Sequence, residues 1–278
     1  MNRLKQLHDA GVSIWLDLLS RDLLASGHLA TLINEQLITG ATSNPTIFAK
    51  ALAGSAAYDE QIAAAAPGCR DPNEAFLALA LDDVRQAADL LRPVHDATGG
   101  RDGFVSFECT PDVADDTTAT IEQARELWDR LDRPNVMSKV PATSAGVAAV
   151  EELTADGINV NVTLLFSAKR YEQIINAYLN GLERRWTDGD AIASITSVAS
   201  FFVSRVDAKA DALLPERSPA GRAGAIANAG SPTPALSSAS TTRGGPVWRT
   251  SEHGHNDCSG RARPPRSPPT PTSCTSRA

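Results

Sequence analysis

The residues of this chain best equipped for covalent chemistry are one lysine and two carboxylates, each near the end of a strand-like run. Lys139, in NVMSKVPAT, lies among apolar neighbours. Stripping water from an ammonium favours its neutral form, and a neutral amine is a nucleophile whose natural reaction with a ketone or aldehyde gives a Schiff base. Asp17, at the end of SIWLD, is suited to take the proton of a substrate hydroxyl. Glu108, at the end of GFVSFE, is suited to relay protons through a water while an imine forms. Two carboxylates and one lysine on three different strands are what an imine-forming aldolase requires. A plainer role also fits the lysine, which can snorkel to a rim or pair with Glu108.

Other residues carry weaker signals. In TSNPTIF, Asn44 precedes Pro45, which disfavours a helical backbone at Asn44 and presents its side chain from a loop; a turn cap is the plainer reading. Arg205, after SVASFFVS and close to a helix start, can hold a phosphate together with backbone N–H groups and Ser200. An ion pair with Asp207 fits the same spacing. Trp128 and Trp186 fall in helical stretches and read as packing residues.

These residues sit in a chain whose period alternates. Strand-like runs at 13–18, 38–41, 103–108, 135–141, 157–166 and 191–198 are separated by helix-like stretches at 29–36, 74–91, 117–131, 146–155, 168–182 and 205–214. Strand, helix, strand repeated in this way predicts parallel strands joined by crossover helices, in a doubly wound sheet or a (β/α) barrel. A strand buried between two helix layers would be apolar throughout, and several of these are not. In INVNVTLLF, Ile158, Val160 and Val162 oppose Asn159, Asn161 and Thr163; in GFVSFE, Val105 and Phe107 oppose Phe104, Ser106 and Glu108. One greasy face suits an outer helix layer. The other carries polar groups toward the C-terminal end of the strand, so a barrel mouth lined by Asp17, Glu108, Lys139, Asn161 and Thr163 satisfies the pattern.

Composition sets the outer bounds. With 278 residues, 42% of them hydrophobic, and a net charge of −7, the chain is in the ordinary globular range and is a poor match to a general nucleic-acid binder. No apolar run approaches the roughly 20 residues of a membrane-spanning helix, and the N-terminus meets Asp9 before any apolar stretch of signal-peptide length, so a cytoplasmic location is expected. Four scattered cysteines suggest neither a disulfide framework nor a zinc site. From Gly230 onward the composition changes to a Pro, Ser, Thr and Arg mixture with no lysine and only Glu252 and Asp257 as acids. Such a mixture buries too little apolar surface to offset its ordering entropy. The expectation is a barrel region over residues 1–229 and a disordered tail over 230–278.

The segments SIWLDLLSR, TSNPTIFAK, VSFECTPDVADDT, NVMSKVPAT, GINVNVTLLFS and SVASFFVSRVDAKAD, in this order, identify the chain by its resemblance to the bacterial transaldolase family. The resemblance implies a class I aldolase-type (β/α)8 barrel with Lys139 as the Schiff-base lysine and Asp17 as the acid/base for carbon–carbon cleavage. It places Glu108 and Thr163 around a catalytic water, Asn44 and Asn161 on the substrate, and Ser200 with Arg205 near a phosphate. It also implies sugar phosphate substrates in the non-oxidative pentose phosphate pathway, with no metal or organic cofactor. Related readings are another class I ketose-phosphate aldolase and an inactive product. The family likeness stops at AIANA, near residue 229, leaving about six strands. Codons compatible with His255–Ser276 can be read one base out of phase to give a family-like continuation. The tail therefore reads as a frame-displaced translation, and the barrel as incomplete, with open edges.

Overall fold

The computed structural model describes residues 3–36, 38–65, 72–214 and 248–252. Among these residues seven strands form one parallel sheet in chain order: β1 (Ile14–Leu16), β2 (Ile38–Thr42), β3 (Phe104–Glu108), β4 (Val136–Pro141), β5 (Val160–Leu165), β6 (Ser197–Phe201) and β7 (Trp248–Glu252). Among the described residues β7 does not pair with β1. The sheet is therefore an open, curled segment of an aldolase-type α/β barrel. Ten α-helices accompany it among the described residues: α1 (Arg3–Asp9), α2 (Arg21–Ala25), α3 (His28–Gln36), α4 (Pro45–Gly54), α5 (Asp59–Ala65), α6 (Pro72–Ala97), α7 (Thr117–Leu131), α8 (Ser144–Ala155), α9 (Ala168–Thr187) and α10 (Val203–Asp211).

Period-2 alternation sorts the strand side chains as the sequence predicts. Val105, Phe107, Val136, Val140, Val160, Val162, Ala199 and Phe201 join one large core with Leu81, Leu91, Leu127, Leu153 and Ile174 from the helices. The opposite face has its own small cluster, in which Phe104, Met137 and Val198 pack with Trp15. Burying such side chains on both faces is the main stabilising contribution, roughly 1.5–3 kcal/mol for each large one. The Trp15 ring reaches its place because residue 40 is glycine, where an added Cβ would sit 2.5 Å from the ring. Gly40→Ala is expected to overpack this floor and cost about 1–3 kcal/mol, read as a lower urea midpoint.

Helix starts follow from short polar caps at the C-terminal ends of the strands. Asp116, Thr143 and Ser167 accept hydrogen bonds from the backbone N–H groups of Ala119, Gly146 and Arg170, opening α7, α8 and α9. Asn44 caps α4 in the same way, taking the Ile47 N–H at 3.0 Å with Pro45 at the first helical position.

Several sequence expectations are corrected. The strand expected at 191–198 begins instead at Ser197 and runs to Phe201. The preceding residues form a turn held by Tyr178 donating to the Ile195 carbonyl and by the Thr196 N–H donating to Asn159. β1 is shorter than expected and Asp17 lies one residue beyond it. Trp128 packs on the core, but Trp186, near the end of α9, is 69% exposed. The sequence reading has six strands and no element after residue 229, whereas Trp248–Glu252 pairs along its whole length with β6. Trp248 and Thr250 are strand formers inside a Pro- and Ser-rich tract, and pairing with β6 satisfies backbone groups that would otherwise form a bare edge. The rest of the tail expected to be disordered lies outside the described residues.

Candidate functional site

Parallel register sets the centre of the site. Glu108 on β3 is in register with Lys139 on β4, and Lys139 with Asn161 on β5, so all three lie side by side on the polar face. Above them is a cavity of about 620 Å³. Asp17, Asn44, Glu108, Lys139, Thr163 and Arg205, six of the eight residues singled out from the sequence, line it. They come from β1's end, the β2–α4 turn, β3, β4, β5 and α10, which is a convergence at the C-terminal mouth.

Lys139 is 1% exposed, and its Nζ lies 3.2 Å from a Glu108 carboxylate oxygen. It also donates to Thr42 Oγ1 and to the Ser43 carbonyl, each at 3.3 Å. The plainer reading of this lysine, pairing with Glu108, is thus part of the geometry and is compatible with chemistry. A paired ammonium becomes a nucleophile by giving up one proton, and Glu108 is the carboxylate at hand to accept it.

Around this pair the remaining groups divide by depth. The Thr163 hydroxyl is buried and has no hydrogen-bond partner among the described residues, so it is available to a molecule in the cavity it lines. Just beyond it β5 slips register, and Leu164 takes a left-handed backbone (φ 60°) that turns its side chain out onto the cavity rim. Asn44 lines the cavity and spends its Oδ1 on the α4 cap, so its amide N–H groups are the part left to donate to a ligand. Arg205 is exposed, with its guanidinium 5.3 Å from the Phe202 ring centre. The ion pair with Asp207 does not form among the described residues.

Asn161 and Ser200 do not line the cavity; they are buried one layer below it. Ser200 donates to Asn161 Oδ1, and Asn161 Nδ2 donates to Ser106, both at 2.8 Å. Ser106 is 3.1 Å from Thr42 Oγ1, which receives Lys139. A continuous polar line therefore crosses β6, β5, β3 and β2 beneath the cavity and ends on the lysine. Thr42, Ser43 and Ser106 were not singled out from the sequence. Their signal was a polar residue at the C-terminal end of a strand, in phase with Glu108 or just before Asn44. Ser204, one position before Arg205 and four after Ser200, also lines the cavity, where Ser200 had been expected to help hold a phosphate.

Cys109 follows Glu108 but points into the core, where burial and the Glu108 charge push its thiol up to about 12. It stays protonated and takes no part in thiolate chemistry. Among the described residues no group of three or more His, Cys, Asp and Glu side chains could hold a metal ion, and no helix is long and apolar enough to cross a membrane.

Comparison with known proteins agrees with this geometry. A family model described as transaldolase/fructose-6-phosphate aldolase matches residues 14–239. A protein of Acidothermus cellulolyticus named transaldolase is 53% identical over 208 residues, covering 75% of this chain and 56% of that protein. Transaldolase 1 of Streptomyces avermitilis is 52% identical over 76% of this chain and 56% of its own length. A transaldolase of Saccharopolyspora erythraea is 50% identical over 76% of this chain and 57% of its own. The chain spans just over half the length of these relatives. A buried lysine beside a glutamate at the mouth of a curled parallel sheet, and a family match over residues 14–239, lead to one conclusion: the chain belongs to the transaldolase/fructose-6-phosphate aldolase family.

Proposed function

We propose that this chain is a transaldolase, moving a dihydroxyacetone unit from a ketose phosphate to an aldose phosphate through a Schiff base on Lys139. The observation that carries the reading is Lys139 itself, 1% exposed yet lining the cavity, with Glu108 against it and Asp17 across the mouth. The name shared by relatives at about half identity favours transfer over simple release of the three-carbon unit.

The steps follow from these side chains. Lys139 passes a proton to Glu108, and its freed lone pair attacks the ketone of fructose 6-phosphate or sedoheptulose 7-phosphate. The carbonyl oxygen leaves as water, with protons returned through Glu108 and a water held by Thr163, giving a protonated imine. Asp17 takes the C4 hydroxyl proton while the C3–C4 bond breaks, and its electron pair passes into the imine to leave an enamine on Lys139. The aldose phosphate departs, and a second one accepts the three-carbon unit by the reverse sequence. In this reading Asn44 holds substrate hydroxyls, Arg205 faces the phosphate, and Asn161 with Ser200 forms the polar floor. The residues work with no cofactor, in the non-oxidative pentose phosphate pathway of the cytoplasm.

The direct test is borohydride reduction of the purified chain with fructose 6-phosphate, followed by peptide mass mapping. A dihydroxyacetone-derived mass on Lys139 is the expected result. No adduct, or an adduct on another lysine, would overturn the reading.

A further inference from the structure

We infer that Thr42, backed by Ser106, is a positioning residue that aims the Lys139 amine at the cavity, an inference that rests on the imine chemistry proposed above. Thr42 and Ser43 are buried and lie outside the cavity lining, whereas Lys139 and Glu108 lie in it. Two N–H groups of the lysine are therefore held from behind, by the Thr42 hydroxyl and the Ser43 carbonyl at 3.3 Å each. The third acceptor, Glu108 at 3.2 Å, is on the cavity side. When a proton passes from Nζ to the Glu108 carboxylate, the rear contacts keep the other two N–H bonds, and the lone pair appears on the side where the proton left. A flexible four-carbon side chain is thereby given one productive orientation before its ketone arrives.

The line of hydrogen bonds beneath Thr42 gives this clamp its direction. Ser200 donates to Asn161 Oδ1, which fixes the amide so that its N–H groups face Ser106. Ser106 accepts that N–H and lies 3.1 Å from the Thr42 hydroxyl, and a Thr42 O–H that donates to Ser106 has its oxygen polarised into a stronger acceptor for Lys139. Every member of the line is at most 2% exposed, so water does not compete for these bonds.

The test compares Thr42→Val, Thr42→Ser and Ser106→Ala in the full chain, using the time course of borohydride trapping with fructose 6-phosphate and the steady-state kcat and KM. Thr42→Val is expected to slow trapping and kcat by about tenfold to a hundredfold, with KM within about twofold of the parent. Thr42→Ser keeps the hydroxyl and should restore most of the rate. Ser106→Ala should slow trapping by a smaller factor, again with little change in KM. Parent-like trapping on Lys139 in Thr42→Val overturns the inference alone, as does an equal loss in Thr42→Ser. If Thr42→Val does not fold, Ser106→Ala decides, and a parent-like rate there also overturns the inference. Absence of any adduct in the unsubstituted chain overturns the imine reading and the inference together.

Discussion

Lys139→Ala is expected to abolish both turnover and borohydride trapping, leaving fold and stability close to those of the parent. The amine is the covalent attachment point in the proposed reaction, so no neighbouring group replaces it; this differs from loss of a general base, which costs about 10²–10⁴-fold. Alanine at 139 also relieves Glu108 of its partner without burying a charge deeply, since Glu108 keeps 17% of its side chain exposed at the cavity. Asp17→Asn separates the steps. It retains the amine and Glu108, so imine formation continues, but the C4 hydroxyl proton has no acceptor and cleavage should slow by about 10²–10⁴-fold. The trapped adduct on Lys139 should then carry the whole six-carbon phosphate in place of the three-carbon fragment. Glu108→Gln should instead reduce the yield of any adduct. A three-carbon adduct forming at the parent rate in Asp17→Asn would remove Asp17 from the cleavage step, and turnover in Lys139→Ala would remove the covalent mechanism.

How far the site could be read from sequence follows from how local each signal is. Lys139, Glu108, Asn161 and Thr163 were legible because strand alternation fixes the face of a residue, and register then places neighbouring strands' polar residues together. Asn44 was legible only as a turn. Its capping of α4 needed Pro45 to be read as the first helical residue, and the same bond takes up the Asn44 carbonyl oxygen. Depth was not legible. Ser200 and Asn161 share the polar face with Lys139, yet their side chains are tied to each other and to Ser106 and stay out of the cavity lining. Ser106 was legible only as a polar residue on the face of Glu108, and Thr42 only as the start of TSNPTIF, since a hydroxyl on a strand announces no contact until a lysine from another strand reaches it. The strand at Trp248–Glu252 was hidden by the composition of its surroundings, and it becomes a strand by pairing with β6 across a long stretch of chain.

Arg21→Ala is expected to be the most destabilising single change outside the cavity. Asp83 on α6 is fully buried, and Arg21, at the start of α2, donates to it at 2.8 Å with only 16% of its own side chain exposed. Tyr58 donates to the other carboxylate oxygen at 2.7 Å, and its hydroxyl accepts the Arg21 backbone N–H at 2.8 Å. The guanidinium also covers the Tyr58 ring at 4.7 Å. Removing Arg21 leaves a buried carboxylate with one hydroxyl partner, a change that costs about 3–5 kcal/mol. For a domain of this size that is a fall in Tm of about 6–20 °C. Arg92→Ala, which breaks an exposed i,i+4 pair with Asp96, is the control and should leave the urea midpoint close to that of the parent. The loss should also depend on pH with a definite sign. Burial raises the Asp83 carboxyl above its ordinary value, with Tyr58 and Arg21 pulling it part of the way back. Because the folded state then holds this proton more tightly than the unfolded chain, the ionised group costs stability at neutral pH. That cost fades as pH falls from the raised folded value toward the unfolded value of about 3.9. Without Arg21 the carboxyl is pushed higher still, so the deficit of Arg21→Ala relative to the parent should be greatest near neutrality and shrink on acidification. Urea titrations of both proteins at pH 7.5 and 4.5 measure this directly. A deficit that grows at the lower pH would show that the buried carboxylate is not what Arg21 compensates.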